Sequence, residues 1–390
     1  MSAEASSYPT DRPAATEQER LARVALSLLG EPGETKMTAL VAELGAVHLH
    51  ELLLGETDIE GLHTDVAARL AALDPARELE VADRLGVRFV VPGDDEWPSQ
   101  VESLAGAGAL HDRGGVPLGL WVRGPHRLDR LERAVAVVGS RAATTYGDDV
   151  ASEIAATVAS AGHVVVSGGA IGIDRAAHRG AVSADAPTVA VLACGADRVY
   201  PQGHKAMLDH IAATGAVVSE APPGWAPHRI RFLARNRVIA ALSHGTVVVE
   251  AALRSGALNT ASWTGRLQRP LMGVPGPVTS AASSGVHEQI RLGAMSLVTC
   301  GADVLELVAP AGERLVEPRR GVDTERDRLS TRRRQVLDAV PAAAAAGTDS
   351  IARTAGLGVR EVRGALEHLE TVGLAEHVDG GWRLTDEGRH

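Results

Sequence analysis

The chain has 390 residues and a net charge of −10 at pH 7; 45% of its residues are hydrophobic but only 3% are aromatic. This length fits two or three domains, with cores built mainly from Ala, Val and Leu, which suits helices packed on a parallel sheet. No apolar run approaches the length of a membrane-spanning helix, and residues 1–20 contain no signal-peptide core, so we expect a cytoplasmic protein without membrane contact. The two cysteines, Cys194 and Cys300, lack metal-ligand spacing and are expected to be structural thiols.

The negative charge is concentrated in the first third of the chain. Residues 1–130 carry 12 basic and 22 acidic side chains, residues 131–300 carry 14 and 11, and residues 301–390 carry 13 and 16. The middle of the chain therefore has a net charge of +3. The acidic total does not exclude a nucleic-acid partner for that part of the protein.

The predicted elements begin with an N-terminal segment and a helical region. Residues 1–16 are rich in Ser, Pro, Ala and Thr and are predicted to be disordered. Residues 17–86 show short 3.6-residue periodicities that predict a small helical domain, similar to a SAM or helix-hairpin-helix domain. Because this region is acidic, we expect an accessory or partner-facing role for it and no direct phosphate binding.

Residues 87–307 are predicted to form a doubly wound α/β sheet. Segments 87–91 and 117–124 resemble edge strands that lead into it. Apolar strand-like runs then alternate with helical patterns, at 135–138, 164–166, 189–192, 217–218, 246–249, 271–274 and 297–298. In such a sheet, ligands bind at the carboxyl ends of the strands.

The C-terminal part is predicted to be a linker followed by a small domain. Residues 308–330 are rich in Pro, Glu and Arg and show no apolar period. Residues 331–390 predict three helices and a hairpin, which is the order of a winged helix. Its third helix carries only two arginines against three glutamates, so binding of duplex DNA and docking of a protein or second copy are equally open.

The first candidate site follows the run 135–138. Gly139 allows a ligand to approach the backbone, and the Ser140 hydroxyl and Arg141 guanidinium suit a phosphate. An ordinary strand–helix turn with a surface arginine is an equally good interpretation.

The second candidate site is segment 167–174, which includes Ser167, Gly168 and Gly169. Three glycines before a helix suit a backbone cradle for an anion. Asp174 and His178 lie four residues apart on that helix, but we favour a loop-tethering carboxylate and a buried polar neighbour over an acid–base or metal pair.

The basic segment 221–249 is the most informative. It contains no acidic residue, and its cations are interleaved with an aromatic ring: His228, Arg229, Arg231, Phe232, Arg235 and Arg237. Cations suit phosphates and a ring suits base stacking, so this pattern favours a single-stranded nucleic acid over a solvated basic helix face. The preceding loop, 194–205, offers Tyr200 and the cation of Lys205.

These segments together resemble the DNA-processing protein DprA (Smf) family. The motifs that carry the resemblance are Gly139-Ser140-Arg141, residues 167–174 with Ala177-His178, Tyr200-Pro201, Ser219-Glu220, residues 232–237, residues 249–251, Ser255-Gly256 and Pro275-Gly276. The resemblance covers roughly residues 87–300. It implies an extended Rossmann-like core that binds single-stranded DNA (ssDNA) without hydrolysing it, needs no cofactor or metal, and acts as a homodimeric recombination mediator that loads RecA in natural transformation of competent cells.

Site residues follow from the same motifs. The resemblance implies that Ser140 and Arg141 hold a phosphate, that Ser167, Gly168 and Gly169 supply amides to another, and that Phe232 contacts a base. Arg229, Arg235, Asn236 and Arg237 are expected to complete the pocket, with Lys205 nearby. Leu233 departs from the pattern, because the family commonly has Pro after the Phe.

Two alternatives are weighed against this interpretation. A Rossmann-like nucleotide phosphoribohydrolase of the lysine-decarboxylase-like group would carry a Pro-Gly-Gly-x-Gly-Thr loop, which the comparable region 250–260 lacks. A duplex-binding transcription factor would explain only the predicted winged helix. No Ser–His–Asp or Cys–His arrangement stands out in the sequence, so we expect a protein that is not an enzyme.

Overall fold

The computed structural model describes residues 14–55, 65–316 and 323–389. The chain forms a larger unit, Met1–Val316, and a smaller unit, Glu317–His390, and each is described by itself. The predicted disordered segment 1–16 lies outside the described residues except for its last three. Thr16 there caps the first helix by accepting a hydrogen bond from the Glu19 amide at 3.1 Å.

The larger unit begins with five helices, which confirms the predicted helical character of this region. They are α1 (Glu17–Leu29), α2 (Thr35–Leu44), α3 (Ala46–Leu54), α4 (Asp65–Ala71) and α5 (Pro75–Arg84). The apolar faces of α1 to α4 share a core that includes Leu26, Val41 and Leu49, whereas α5 packs Ala82 into a neighbouring core with Phe89. Within the described ranges, no single helix is long and apolar enough to span a membrane; α2 and α3 meet that criterion only as a pair bent by 109°.

A nine-stranded sheet follows. Its strands are β1 (Val87–Val90), β2 (Leu120–Arg123), β3 (Ala134–Val138), β4 (Val164–Ser167), β5 (Thr188–Leu192), β6 (Ala216–Ser219), β7 (Gly245–Val248), β8 (Leu271–Gly273) and β9 (Ser296–Leu297). The order across the sheet is β1-β2-β6-β5-β4-β3-β7-β8-β9. Strands β3 to β9 are mutually parallel, whereas β1 and β2 add antiparallel pairs at one edge. The predicted doubly wound α/β sheet is confirmed.

Helices cover both faces of this sheet because its strands are apolar on both sides. Alternate residues of β3 show this: Val135 and Val137 pack in one core, while Ala136 and Val138 pack in the other. The covering helices are α6 (Thr145–Ser160), α7 (Ile173–Ser183), α8 (Lys205–Thr214), α9 (Arg229–Leu242), α10 (Ala257–Arg266), α11 (Ser284–Arg291) and α12 (Gly301–Val308).

The strand order reverses between β3 and β7. Successive strands from β3 to β6 are added on one side of β3, and β7 to β9 are added on the other. The connections after β3 and β7 therefore leave the sheet in opposite directions and open a crevice between them. In an open α/β sheet this switch point is where ligands bind.

The smaller unit contains three helices and a hairpin, in the predicted order. They are α13 (Thr331–Ala339), α14 (Thr348–Ala355), α15 (Val359–Thr371), β10 (Ala375–Val378) and β11 (Gly381–Leu384). Asp379 and Gly380 join the two strands with positive φ angles of 53° and 77°, as a two-residue type I′ turn requires. Assignment of this unit as a winged helix remains a prediction.

One buried side chain makes the stability of the larger unit depend on pH. His178 on α7 is fully buried, and its Nδ1 lies 2.9 Å from Thr188 Oγ1. Because the Thr188 hydroxyl donates to the Val165 carbonyl, the ring nitrogen must be the donor. Burial favours the neutral imidazole and lowers the pKa of His178 from 6.5 to about 3.

We expect the thermal stability of the wild type to fall more steeply below pH 6.5 than that of a His178→Asn variant. Between the two pKa values, the unfolded chain binds a proton that the folded chain does not. The stabilisation is therefore complete above pH 6.5 and is lost as the pH falls towards 3, by roughly 2 to 3 kcal/mol at pH 4.5. Melting temperatures measured across this range test the prediction, and equal slopes in the two proteins would contradict it.

Candidate nucleic-acid interface

A groove of about 620 Å³ lies at the switch point of the sheet. Four parts of the chain form its walls: the turn after β3, the loop after β4, one side of α9 and the start of α10. The lining residues include Ser140, Arg141, Ala170, Arg229, Phe232, Asn236, Gly256 and Thr260. The groove is therefore made by segments that the sequence analysis singled out separately.

The turn after β3 is held rigidly by Glu250, which follows β7. The Ser140 amide donates to the Glu250 carbonyl at 2.7 Å, and the Glu250 carboxylate accepts from the Thr144 amide at 2.9 Å and its hydroxyl at 2.6 Å. A Cβ at Gly139 would lie 2.6 Å from Ile173 Cγ1, so no larger residue fits there. The exposed Arg141 side chain thus projects from a fixed base.

Arg141 lies against the ring of Phe232. Its Cζ atom is 4.7 Å from the ring centroid, which is a cation–π distance. Tyr200 approaches the same ring, with centroids 5.8 Å apart and planes at 56°, and is itself 44% exposed. The half-buried ring can stack one base, and the cation beside it can hold the adjacent phosphate.

Arg229 lies on the same side of α9 as Phe232. Positions 229, 232, 233 and 236 fall on one face of a helix, and all four line the groove. Arg229 is exposed, and its guanidinium has no ion-pair or hydrogen-bond partner within the described part of the chain. It is therefore available for a phosphate.

A carboxyl group of the protein, that of Asp174, tethers the loop after β4. The Asp174 carboxylate accepts from the Ala170 amide at 3.4 Å, and the buried Ser167 hydroxyl donates to the Val137 carbonyl at 2.7 Å. Burial raises the pKa of Asp174, against the opposing effects of Arg235 and of the Ala170 and Gly168 amides. The tethering role favoured for Asp174 is confirmed, and a phosphate role for the amides of Ser167, Gly168 and Gly169 stays a prediction.

Buried arginines make up most of the basic segment. Arg235 donates to the carbonyls of Gly168 at 2.6 Å and Val191 at 2.7 Å, and so braces the loop after β4 rather than a ligand. Arg237 is fully buried and makes two 2.6 Å contacts with the Glu220 carboxylate. The prediction that Arg237 contacts DNA is wrong for this structure, because its guanidinium cannot reach the groove.

Of the other two predicted polar residues, one lines the groove and one does not. Asn236 lines the groove and donates to Asn259 Oδ1 at 3.1 Å. Lys205 is exposed on α8 and pairs with Asp209 there, so it does not line the groove. The neighbouring His204 points inward instead, with Nδ1 3.0 Å from the Gly169 carbonyl.

Two contributors were absent from the predicted site. Glu250 shapes the turn that carries Arg141, and Tyr200 borders the ring of Phe232. Both belong to motifs that the sequence analysis quoted, but neither is near Arg141 or Phe232 in sequence. Only the position of each motif at a strand end pointed to their proximity.

Comparison with known proteins covers this same part of the chain. The family model described as DNA recombination-mediator protein A matches residues 88–309, which include every groove residue. A candidate DNA processing protein DprA of Mycobacterium tuberculosis (strain H37Rv) is 47% identical over 367 residues, covering 93% of this chain and 94% of that protein. The chain belongs to this family.

A second DprA agrees in sequence and in structure. The DNA processing protein DprA of Streptococcus pneumoniae (strain R6) is 35% identical over 269 residues, covering 68% of this chain and 90% of that protein. The X-ray structure of DprA from Streptococcus pneumoniae matches with a TM-score of 0.61 and 32% identity, covering 75% of this chain and 98% of that one. The DprA (Smf) resemblance seen in the sequence motifs is confirmed, and so is the Rossmann-like core with a helical N-terminal region.

Proposed function

We propose that this protein binds ssDNA in the switch-point groove and acts as a non-catalytic recombination mediator. The observation that carries the proposal is the pairing of an exposed cation with a half-buried ring. Arg141 Cζ lies 4.7 Å from the Phe232 centroid, and Arg229, on the same side of α9, has no partner among the residues that the structure describes. Membership of a DNA recombination-mediator family supports it.

Single strands suit this geometry better than duplexes. The ring of Phe232 can stack a base only if that base is not already stacked between neighbours. Arg141 and Arg229 can contact phosphates of any sequence, since within the described ranges neither forms a hydrogen bond that would direct it to a base edge. The expected ligand is therefore ssDNA bound with little sequence preference.

The groups around the groove suit binding rather than catalysis. Both Glu250 carboxylate oxygens accept hydrogen bonds from Thr144, and Asp174 is buried against the Ala170 amide and Arg235. A general base must reach the proton that it removes. These two carboxylates instead hold the loops of the groove in place.

The partners follow from the proposed role. A recombination mediator must hand its strand to a recombinase, so we propose that the protein loads RecA on incoming ssDNA in the cytoplasm and works as a homodimer. The family description supports a role in recombination. The resemblance of the sequence motifs to the DprA (Smf) family supports RecA loading and a homodimer.

Fluorescence anisotropy with labelled oligo-dT and a matched duplex across a salt series tests the binding. We expect a clear preference for oligo-dT and a slope of log K against log [salt] of roughly −1.4, because the phosphate contacts of Arg141 and Arg229 each contribute about −0.7. Equal binding of the duplex would contradict the proposal. Release of free base from a nucleoside monophosphate would instead favour a nucleotide-processing enzyme.

A further inference from the structure

The first turn of α9 lacks the features that normally stabilise a helix start. Its N-cap residue, His228, makes no side-chain capping hydrogen bond, and no acidic residue lies in the first turn. Arg229 and Arg231 instead place positive charges at the positive end of the helix dipole, which is unfavourable. This weak turn carries Arg229 and Phe232, the two residues of α9 that the proposed function needs.

The missing negative charge comes from the loop between α1 and α2. Glu31 in that loop accepts two hydrogen bonds from Arg231, at 2.8 Å from Nε and 2.7 Å from Nη2. Arg231 is two residues beyond Arg229 and hence about 200° around the helix, so this pair lies on the side away from the groove. The Arg231 guanidinium holds the pKa of Glu31 below its usual value, so the carboxylate is ionised at neutral pH.

The same arginine also fixes the segment that precedes α9. Its Nη1 donates to the Ala226 carbonyl at 2.5 Å, and its Cζ lies 4.2 Å from the ring centroid of Trp225. The Arg231 side chain is only 9% exposed, whereas that of Glu31 is 37% exposed. Glu31 therefore completes the set of contacts around Arg231 that determines where α9 begins.

A second contact keeps the α1–α2 loop in position. The Gly33 amide donates to Glu220 Oε1 at 3.2 Å, and a Cβ at Gly33 would lie 2.9 Å from Arg237 Cζ. The loop thus lies directly on the buried Glu220–Arg237 pair. The N-terminal helical region thus pairs with Arg231 of α9 and lies against Arg237 of the same helix.

We propose that Glu31 is a positioning residue for the nucleic-acid groove. The N-terminal helical region, through Glu31, keeps the first turn of α9 in the form that presents Arg229 and Phe232. This inference rests on the proposed binding of ssDNA. It gives the acidic N-terminal region a role in binding without contact to the nucleic acid.

Whether binding of the nucleic acid becomes weaker or tighter when Glu31 loses its charge distinguishes positioning from a simple electrostatic effect. Removing a negative charge should strengthen the attraction of a polyanion if Glu31 acts only through its charge. If Glu31 positions α9, the Glu31→Gln variant should bind more weakly despite its more positive total charge. The matched control is Glu43→Gln, which removes the same charge from an exposed residue of α2 in the same helical region.

The experiment combines binding with hydrogen exchange on the unbound full chain. We expect Glu31→Gln to weaken oligo-dT binding about three- to tenfold by anisotropy, as the loss of one helix-start charge and one ion pair suggests. Amides of residues 226–233 should exchange faster than in the wild type. Glu43→Gln should leave exchange unchanged and binding equal or slightly tighter.

A second variant covers the case in which Glu31→Gln disturbs folding. Arg231→Lys keeps the total charge but loses the two-pronged contact with Glu31 and the stacking on Trp225, so it should also weaken binding and speed exchange. The inference would be overturned if Glu31→Gln and Arg231→Lys showed wild-type hydrogen exchange and bound oligo-dT as tightly as Glu43→Gln does. If the wild type itself fails to bind oligo-dT, the proposed function is wrong. In that case exchange alone decides whether Glu31 holds the turn: faster exchange supports this and unchanged exchange refutes it.

Discussion

Replacing both Arg141 and Phe232 with Ala is expected to weaken oligo-dT binding by about 100-fold or more. Base–aromatic stacking contributes about 1–3 kcal/mol for each base, and a charge-assisted hydrogen bond to phosphate about 1.5–3 kcal/mol. Each 1.4 kcal/mol is a factor of ten in the dissociation constant. Because the two side chains are in contact at 4.7 Å, their single-variant effects should not simply add.

The single variants and a matched control identify the source of the loss. Arg141→Ala should make the salt slope less steep by about 0.7, whereas Phe232→Ala should lower affinity at every salt concentration with little change in slope. Phe232→Tyr keeps a ring and should retain most of the affinity. Arg77→Ala removes an exposed arginine from α5, which does not line the groove, and should change binding little.

Wild-type affinity in the double variant would place the DNA contact elsewhere. The smaller unit would then be the next candidate, through Arg360 and Arg363 on α15. A loss of duplex binding alone, with oligo-dT binding retained, would also contradict the proposed use of Phe232 for stacking.

Replacing Glu220 with Ala is expected to destabilise the larger unit by about 3–5 kcal/mol, because it leaves the charge of Arg237 buried without its partner. Arg237 is completely inaccessible, and its other hydrogen-bond acceptors among the described residues are carbonyls, such as Gly115 O at 3.2 Å and Ala234 O at 3.1 Å. The Gly33 amide loses its acceptor in the same variant. The melting temperature should fall by roughly 10 °C.

Two further variants separate a buried pair from an ordinary surface pair. Arg237→Met combined with Glu220→Leu removes both charges and should recover much of the loss, because no charge is then left unpaired. Glu288→Gln breaks the exposed pair with Arg291 on α11 and should leave the melting temperature nearly unchanged. Equal melting temperatures for Glu220→Ala and Glu288→Gln would show that the buried pair contributes no more to stability than the surface pair.

The sequence by itself determined the framework of this protein. Each strand of the larger sheet has its own short apolar run, and glycines and small polar residues mark the strand ends, so local patterns were sufficient to predict the doubly wound sheet. Parallel strands end at one edge, which placed the turn at Gly139, the loop after β4 and the basic segment near one another. The motifs at those ends also identified the family.

The tertiary structure determines which basic residues face the groove. Arg229, Arg231, Arg235 and Arg237 share one acid-free segment and one chemistry, yet only Arg229 remains without a partner in the described part of the chain. Helix α9 is buried on almost every side, so no apolar stripe distinguishes an inner from an outer face. The partners of the other three come from distant positions, such as Glu31, two hundred residues earlier, which local pattern cannot indicate.

The loop after β4 shows that the sequence also does not reveal which backbone groups have partners within the folded chain. Its glycines predicted amides free to bind an anion, but the Asp174 carboxyl of the following helix reaches this loop and accepts from the Ala170 amide. Composition and spacing indicate which groups can bind charge. Whether a group binds a ligand or another part of the chain depends on burial and on long-range contacts, and these exist only once the chain has folded.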